Sequence, residues 1–340
     1  MLARRATDHG CRLALQRSGR RMPNVRKKTT VGFVGVGSMG GPMASYLLRA
    51  GHAIIAHDTS TAAVEELREK AQDASLVQPA ATPADAAAGA DKVLCVCVVN
   101  EQQVESCLFG ERGAVAALHP ESVVVMHSTV PPSFARSLGQ RLASAGGHFL
   151  VDAPISGGRI GAVGGSLAIM ASGADKALAV ALPLLHTMTP FGCVAVLGNE
   201  PGMGSTAKAV NQLLVSTHVV ATAEAMAMGA SGGLDLNALR ELIVNCAGTS
   251  WIFESRSKRL VGVGSRGGGE FRPTADDTST AAILLKDMDI CCAVGGEAGL
   301  SLPVADMVQR QFSAAVKAGH GQLNDSAVYK LYEDEGAGSA

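Results

Sequence analysis

Between Thr29 and about Gly198, short unbroken apolar runs alternate with Ala-rich stretches in which apolar positions recur at helical spacing. The runs at 30–36, 53–57, 92–98, 122–126, 148–151, 167–171 and 193–197 predict strands, and the stretches at 39–50, 61–71, 101–109, 132–145 and 175–187 predict helices. A strand covered on both faces shows no polar alternation, and strands that alternate with helices join as βαβ units. The front half therefore predicts a doubly wound parallel sheet. From Gly202 the pattern changes to long Ala-, Leu- and Met-rich segments without strand signals. Residues 203–231 predict one helix, apolar nearly all round and therefore buried. Further helices are predicted at 235–245, 280–295 and 303–318, and the Gly-, Ser- and Arg-rich run 262–269 predicts an exposed loop. The expected class is α/β: a sheet domain over 29–198, then an all-α domain over 199–332 joined through the long helix, with a basic extension at 1–28 and a tail at 333–340.

Charge changes the picture only when it is divided. The 340 residues carry 29 Lys+Arg and 30 Asp+Glu, but nine of the bases and a single acid, Asp8, fall in residues 1–28. The body from Thr29 onward therefore carries about −9, which leaves no basic face for a nucleic-acid backbone. With 47% hydrophobic and 17% charged residues, disorder is excluded. The longest apolar runs, such as 93–99, fall far below the roughly 20 residues that span a bilayer, so no membrane partner is expected. The eight cysteines form no Cys-x-x-Cys pair, and none stands with His at zinc-ligand spacing; no metal site is expected, and free thiols fit a reducing compartment. The Arg-rich, acid-poor N-terminus has the composition of a mitochondrial transit peptide, which would place the protein in the matrix. A basic tail or a start annotated too far upstream is the alternative, with a cytoplasmic location.

The first strand runs directly into Gly35-Val36-Gly37-Ser38-Met39-Gly40, a G-x-G-x-x-G that opens a helix. In such a turn the first glycine permits the bend, the second lets backbone approach a pyrophosphate, and the third lets helix and strand pack closely. The helix start offers unpaired N–H groups to the anion. Asp58 ends the second strand, 18 residues after Gly40, where a carboxylate accepts from both ribose hydroxyls of NAD and repels the 2′-phosphate of NADP. A Rossmann-type site for NAD follows. Two more Gly-rich segments lie downstream. Asp152-Ala153-Pro154-Ile155-Ser156-Gly157-Gly158 exposes successive backbone N–H groups and a hydroxyl suited to a carboxylate, unless it is an ordinary loop. Gly202-Met203-Gly204-Ser205 leads into the long helix with Lys208, Asn211 and Gln212 on one face. A lysine half-buried among Ala and Val has its charged form disfavoured and suits acid–base work; one that snorkels to water does not.

Four motifs in one order, G-x-G-x-M-G-x-x-M-A from Gly35 to Ala44, D-A-P-x-S-G-G from Asp152, G-x-G-x-x-x-K-x-x-N-Q from Gly202, and Lys286-Asp287, resemble the β-hydroxyacid dehydrogenases, the 3-hydroxyisobutyrate dehydrogenase family. Within it, His127-Ser128-Thr129-Val130-Pro131-Pro132, Asn245-Cys246-Ala247-Gly248-Thr249-Ser250-Trp251 and Gly319-His320-Gly321 with Asp325-Ser326-Ala327 resemble the L-threonate dehydrogenase branch. The resemblance implies a Rossmann domain, an all-helical domain and an active site in the cleft. It implies Lys208 as catalytic residue supported by Asn211 and Gln212, and Ser156, Gly157 and Gly158 as carboxylate binders. Gly35, Val36, Gly37, Ser38, Met39, Gly40, Asp58, Val99, Asn100, Thr129 and Lys286 would line the cofactor. Tyr46, Asn100 and a lengthened 262–277 region depart from the pattern.

The expected activity is NAD-dependent oxidation of a small hydroxy acid, L-threonate first and 3-hydroxyisobutyrate as the alternative, by a homo-oligomer (dimer or tetramer). A non-catalytic dinucleotide-binding scaffold is the alternative of another class, and it would have no use for Lys208.

Overall fold

A computed structural model of the chain describes residues 28–264 and 279–337, and the expectations for the basic N-terminal extension and for most of 262–277 lie outside them. The chain forms two compact units, one ending at Lys208 and the other beginning at Ala209. In the first, β1 (Thr30–Val34) leads to helix α1 (Gly40–Arg49), β2 (Ala53–His57), α2 (Thr61–Glu69), β3 (Val77–Pro79), α3 (Pro83–Ala88), β4 (Val93–Val96), α4 (Glu101–Phe109), β5 (Val123–Met126), α5 (Pro132–Gly146) and β6 (Phe149–Asp152). There follow β7 (Ile155–Ser156), α6 (Gly158–Val163), β8 (Ala168–Ser172), α7 (Asp175–Met188), β9 (Cys193–Gly198) and the start of α8 (Met203–Ser231). The strands make one sheet in the order β3-β2-β1-β4-β5-β6-β8-β7, with β9 also paired to β8.

Alternate residues of each central strand feed opposite faces. Val31, Phe33, Val93 and Cys95 enter one core under α1 and α7, while Val34, Leu94 and Val96 enter another with residues of α3, α4 and α5. With both faces covered, the strands need apolar residues at every position, which is why they stand out in the sequence as continuous runs.

The fully parallel expectation requires correction at β6 to β8. β8 runs antiparallel to β6 and β7, with partners Asp152↔Ser172, Ile155↔Ile169 and Ser156↔Ala168. Apolar runs carry no information about strand direction. Two strands escaped the pattern, since β3 buries only Val77 and ends in Pro79, and β7 is two residues long. Helix α3 also escaped it, although Thr82 caps it by accepting from Asp85 N–H (3.0 Å) and Pro83 stands in its first turn.

The second unit is helical: the rest of α8, α9 (Leu236–Ile243), α10 (Trp251–Gly264), α11 (Ala281–Glu297), α12 (Pro303–Ala315) and α13 (Lys330–Ala337). α10 covers the first three residues of the expected 262–269 loop, and the rest of that stretch is outside the described residues. Val219, Val220, Ala223 and Met226 of α8 join its core with Leu284, Met288 and Phe312. The expected all-round burial of α8 holds on one side only, because Val210, Leu214 and Met228 are more than half exposed. By length and composition alone α8 could cross a membrane; its buried side is that of a core helix.

Candidate active site

Of the residues predicted to line a cofactor, those of the first unit gather at the carboxyl ends of the parallel strands, around the point where the order reverses between β1 and β4. Gly35 sits at φ +87°, and a Cβ there would lie 2.3 Å from Cys97 O. A Cβ on Gly40 would lie 1.9 Å from Gly35 O. A Cβ on Gly37 would meet only Asp58 Oδ2, at 4.0 Å. Two of the three glycines are thus fixed by the protein's own packing, and the exposed middle one leaves backbone open to a ligand. Met39, at the N-cap of α1, makes no side-chain cap; Gly41 N–H donates to Gly37 O (3.0 Å) and Pro42 has no N–H, so an anion here would be met by the N–H groups ahead of Gly41. Asp58 Oδ2 accepts from Val36 N–H and Oδ1 from Ser60 N–H, both at 2.9 Å, which ties the carboxylate to the turn. Each oxygen keeps a further lone pair for a ribose hydroxyl. The site therefore fits a dinucleotide on two counts, an open backbone turn and a held carboxylate.

On the β4 side, Val99 is exposed, and its N–H donates to Gln103 Oε1 (2.8 Å) while Asn100 Oδ1 accepts from Gln103 N–H (2.9 Å). This reciprocal cap is what Asn100 provides at a position that departs from the family pattern. Thr129 is half-buried beyond β5, next to Ser128, whose Oγ accepts from Val98 N–H at 3.0 Å. His127 is buried, stacks on Phe33, and places Nδ1 2.9 Å from Ala153 O. A carbonyl only accepts, so Nδ1 carries the proton, and burial pushes the ring's pKa down to about 4. Ser38 O accepts from Arg159 Nη1 (3.1 Å) on α6, and Tyr46 donates to Val163 O (3.0 Å), so α6 lies along α1. Arg159 was not singled out by the sequence, and His127 entered it only as part of the 127–132 motif, with no role of its own.

The substrate segment and the lysine segment meet on the far strands. Ser156 ends β7, and Gly157 (φ +127°) and Gly158 (φ +61°) open α6, both in conformations that favour glycine. Asp152 is fully buried at the end of β6; its Oδ2 accepts from Gly202 N–H (2.9 Å) and Ser205 N–H (2.8 Å), and its Oδ1 from Ser205 Oγ (2.8 Å). Burial raises its pKa despite these donors. Lys208 follows one turn later and is buried, 7% exposed. Burial removes the snorkelling alternative. In the second unit, Asn211 donates to Gln212 Oε1 (3.0 Å), and Gln212 donates to Asp287 Oδ2 (2.6 Å). Lys286 Nζ lies 2.8 Å from Asp287 Oδ1. The paired Lys286-Asp287 thus closes a polar chain that begins at Asn211.

Residues 30–198 match the family described as the NAD binding domain of 6-phosphogluconate dehydrogenase, and residues 202–332 that described as NAD-binding of NADP-dependent 3-hydroxyisobutyrate dehydrogenase. An L-threonate dehydrogenase of Cupriavidus necator is 38% identical over 302 residues, covering 89% of this chain and 95% of that protein. The chain belongs to the 3-hydroxyisobutyrate dehydrogenase family. A 3-hydroxyisobutyrate dehydrogenase of Pseudomonas aeruginosa is 31% identical over 313 residues, covering 89% of this chain and 98% of that protein. The crystal structure of a 3-hydroxyisobutyrate dehydrogenase from Salmonella typhimurium superposes with a TM-score of 0.78 at 33% identity, over 89% of this chain and 99% of that one. As a family member the chain is an NAD-dependent hydroxyacid dehydrogenase with an N-terminal dinucleotide-binding domain and a C-terminal helical domain. That membership removes the scaffold alternative and gives Lys208, Asn211 and Gln212 a chemical context.

Proposed function

We propose that this dehydrogenase oxidises L-threonate to its 2-oxo acid. The observation that carries the chemistry is the burial of Lys208 on a helix whose first turn is bonded to the strand leading into Ser156. Ser156 and the Gly157 and Gly158 amides hold the substrate carboxylate. Lys208, as a neutral amine, takes the hydroxyl proton while the C–H hydride leaves; in reverse its ammonium returns that proton to the carbonyl oxygen. NAD, when bound, supplies the hydride acceptor. Gly37 and the start of α1 would hold its pyrophosphate, and Asp58 would hold its adenine-side ribose and disfavour a 2′-phosphate. Val99, Asn100 and Thr129 would border it, and Lys286 keeps the cofactor-contacting role that the family resemblance implies. L-Threonate is favoured over 3-hydroxyisobutyrate because the L-threonate dehydrogenase of Cupriavidus necator is the more similar of the two relatives, 38% against 31%.

The test is NAD reduction over L-threonate, D-erythronate, 3-hydroxyisobutyrate, D-glycerate and L-serine. L-Threonate should give the highest kcat/KM. A maximum at 3-hydroxyisobutyrate would reassign the substrate and leave the proton chemistry standing, whereas silence on all five would contradict both. A homo-oligomer, dimer or tetramer, is part of the same reading, supported by the exposed Val210, Leu214 and Met228 on α8.

A further inference from the structure

The helix that carries Lys208 begins without a cap of its own. Gly202 precedes it at φ +98°, and a Cβ there would lie 2.9 Å from Pro132 O. No Ser, Thr, Asp or Asn can stand at that position and turn its oxygen onto the first turn. The sheet supplies the acceptors instead. Asp152 takes the N–H groups of Gly202 and Ser205, and Ser172 Oγ takes that of Gly204 at 2.9 Å.

Asp152 and Ser172 are cross-strand partners of β6 and β8, so their side chains leave the same face of the sheet. The register continues past Ala153 and Pro154, where Met170 N–H donates to Pro154 O (2.9 Å), to the pairs at Ile155 and Ser156. Val151, Ala153 and Ile155 all enter the core under α1 and α7, so the positions that alternate with them, Asp152 and Ser156, lie on the opposite face. There is no slack in the join. A Cβ on Gly204 would lie 2.3 Å from Met170 O and 2.7 Å from Asp152 O, which puts the helix backbone directly on the strand backbones. Lys208 stands three and four residues beyond Ser205 and Gly204, one rigid helical turn away.

We propose that Asp152, aided by Ser172, is a positioning residue for proton transfer: it sets where Lys208 stands relative to Ser156 by bonding the lysine's helix to the strand run that delivers the substrate loop. The inference rests on the reading of Lys208 as the acid–base residue. Asp152 touches neither substrate nor cofactor in it. Its effect is geometric, and misplacement of a reacting group by about 1 Å can lower a rate about 10²-fold.

The test compares kcat, KM, NAD affinity and stability for Asp152→Ala, Asp152→Asn, Lys208→Ala and the Asp152→Ala/Lys208→Ala pair. Asp152→Ala should lower kcat per folded molecule roughly 10- to 100-fold, with the NAD Kd unchanged within about twofold. Asp152→Asn keeps one acceptor oxygen for the two backbone N–H groups and should recover kcat to within about fivefold of wild type. Adding Asp152→Ala to Lys208→Ala should lower the residual rate no further, as expected of a residue that acts through another. A wild-type kcat in Asp152→Ala, with only its melting temperature reduced, would overturn the proposal, as would an equal loss in both backgrounds. If Asp152→Ala does not fold, Ser172→Ala and Ser205→Ala each remove one side chain from the clamp, and an unchanged kcat in both would overturn it. Wild-type turnover in Lys208→Ala is a separate outcome: it removes the underlying reading and the proposal with it.

Discussion

Single residues at this site answer to partners far away in the chain. Gly204 must be glycine because Met170 O and Asp152 O close in on it from two neighbouring segments. Gly204→Ala should therefore lower stability by about 1–3 kcal/mol, the range for overpacking a tight contact, and reduce kcat with it. Denaturant unfolding alongside steady-state turnover reads both, and an unchanged pair of values would place the helix farther from the sheet. Asp58 is a second case. Removing a charged acceptor forfeits about 1.5–3 kcal/mol, so Asp58→Ala should raise the NAD Kd roughly 10- to 100-fold and narrow the gap to NADP. Titration with both nucleotides checks the sign. The glycines and Asp58 were legible in the sequence because their spacing is local. The duty of Asp152 was not, because its three donors lie about fifty residues downstream.

At the scale of elements, local periodicity was enough to place α8 at 203–231, β2 at 53–57 and α4 at 101–109, each with the ends found in the fold. Direction and exposure were not legible, since both depend on neighbours that the pattern does not name. β8 turned out antiparallel to β6, and α8 exposes Val210 and Leu214 on one side. In the proposed homo-oligomer a second copy would cover this exposed apolar stripe. Leu214→Glu, which places a charge in that stripe without touching the buried side, should shift the measured mass toward a single chain. Light scattering on wild type and variant decides it: the same oligomer in both would remove α8 from the interface.

For the whole molecule, pH bears on stability through buried and half-buried histidines. His127 is held near pKa 4 in the fold by burial, against the ordinary 6.5, and His52, His148 and His186 are lowered for the same reason. A depressed pKa means that the unfolded chain binds protons that the native one refuses. The stabilisation is complete above pH 6.5 and is lost as the pH falls toward 4. His127 alone should account for a loss of about 2 kcal/mol at pH 5. His127→Phe keeps the ring against Phe33 and should flatten the decline between pH 7.5 and 5 in denaturant titrations; an identical slope would show that other groups carry it.

The account as a whole turns on one lysine, buried in a body of net negative charge and held by a helix bonded to the sheet. Its most direct test is Lys208→Ala, measured for turnover with L-threonate and for NAD affinity on the same preparation. Loss of general acid–base assistance predicts a fall in kcat of about 10²–10⁴-fold with NAD binding intact. Turnover at the wild-type rate would contradict it.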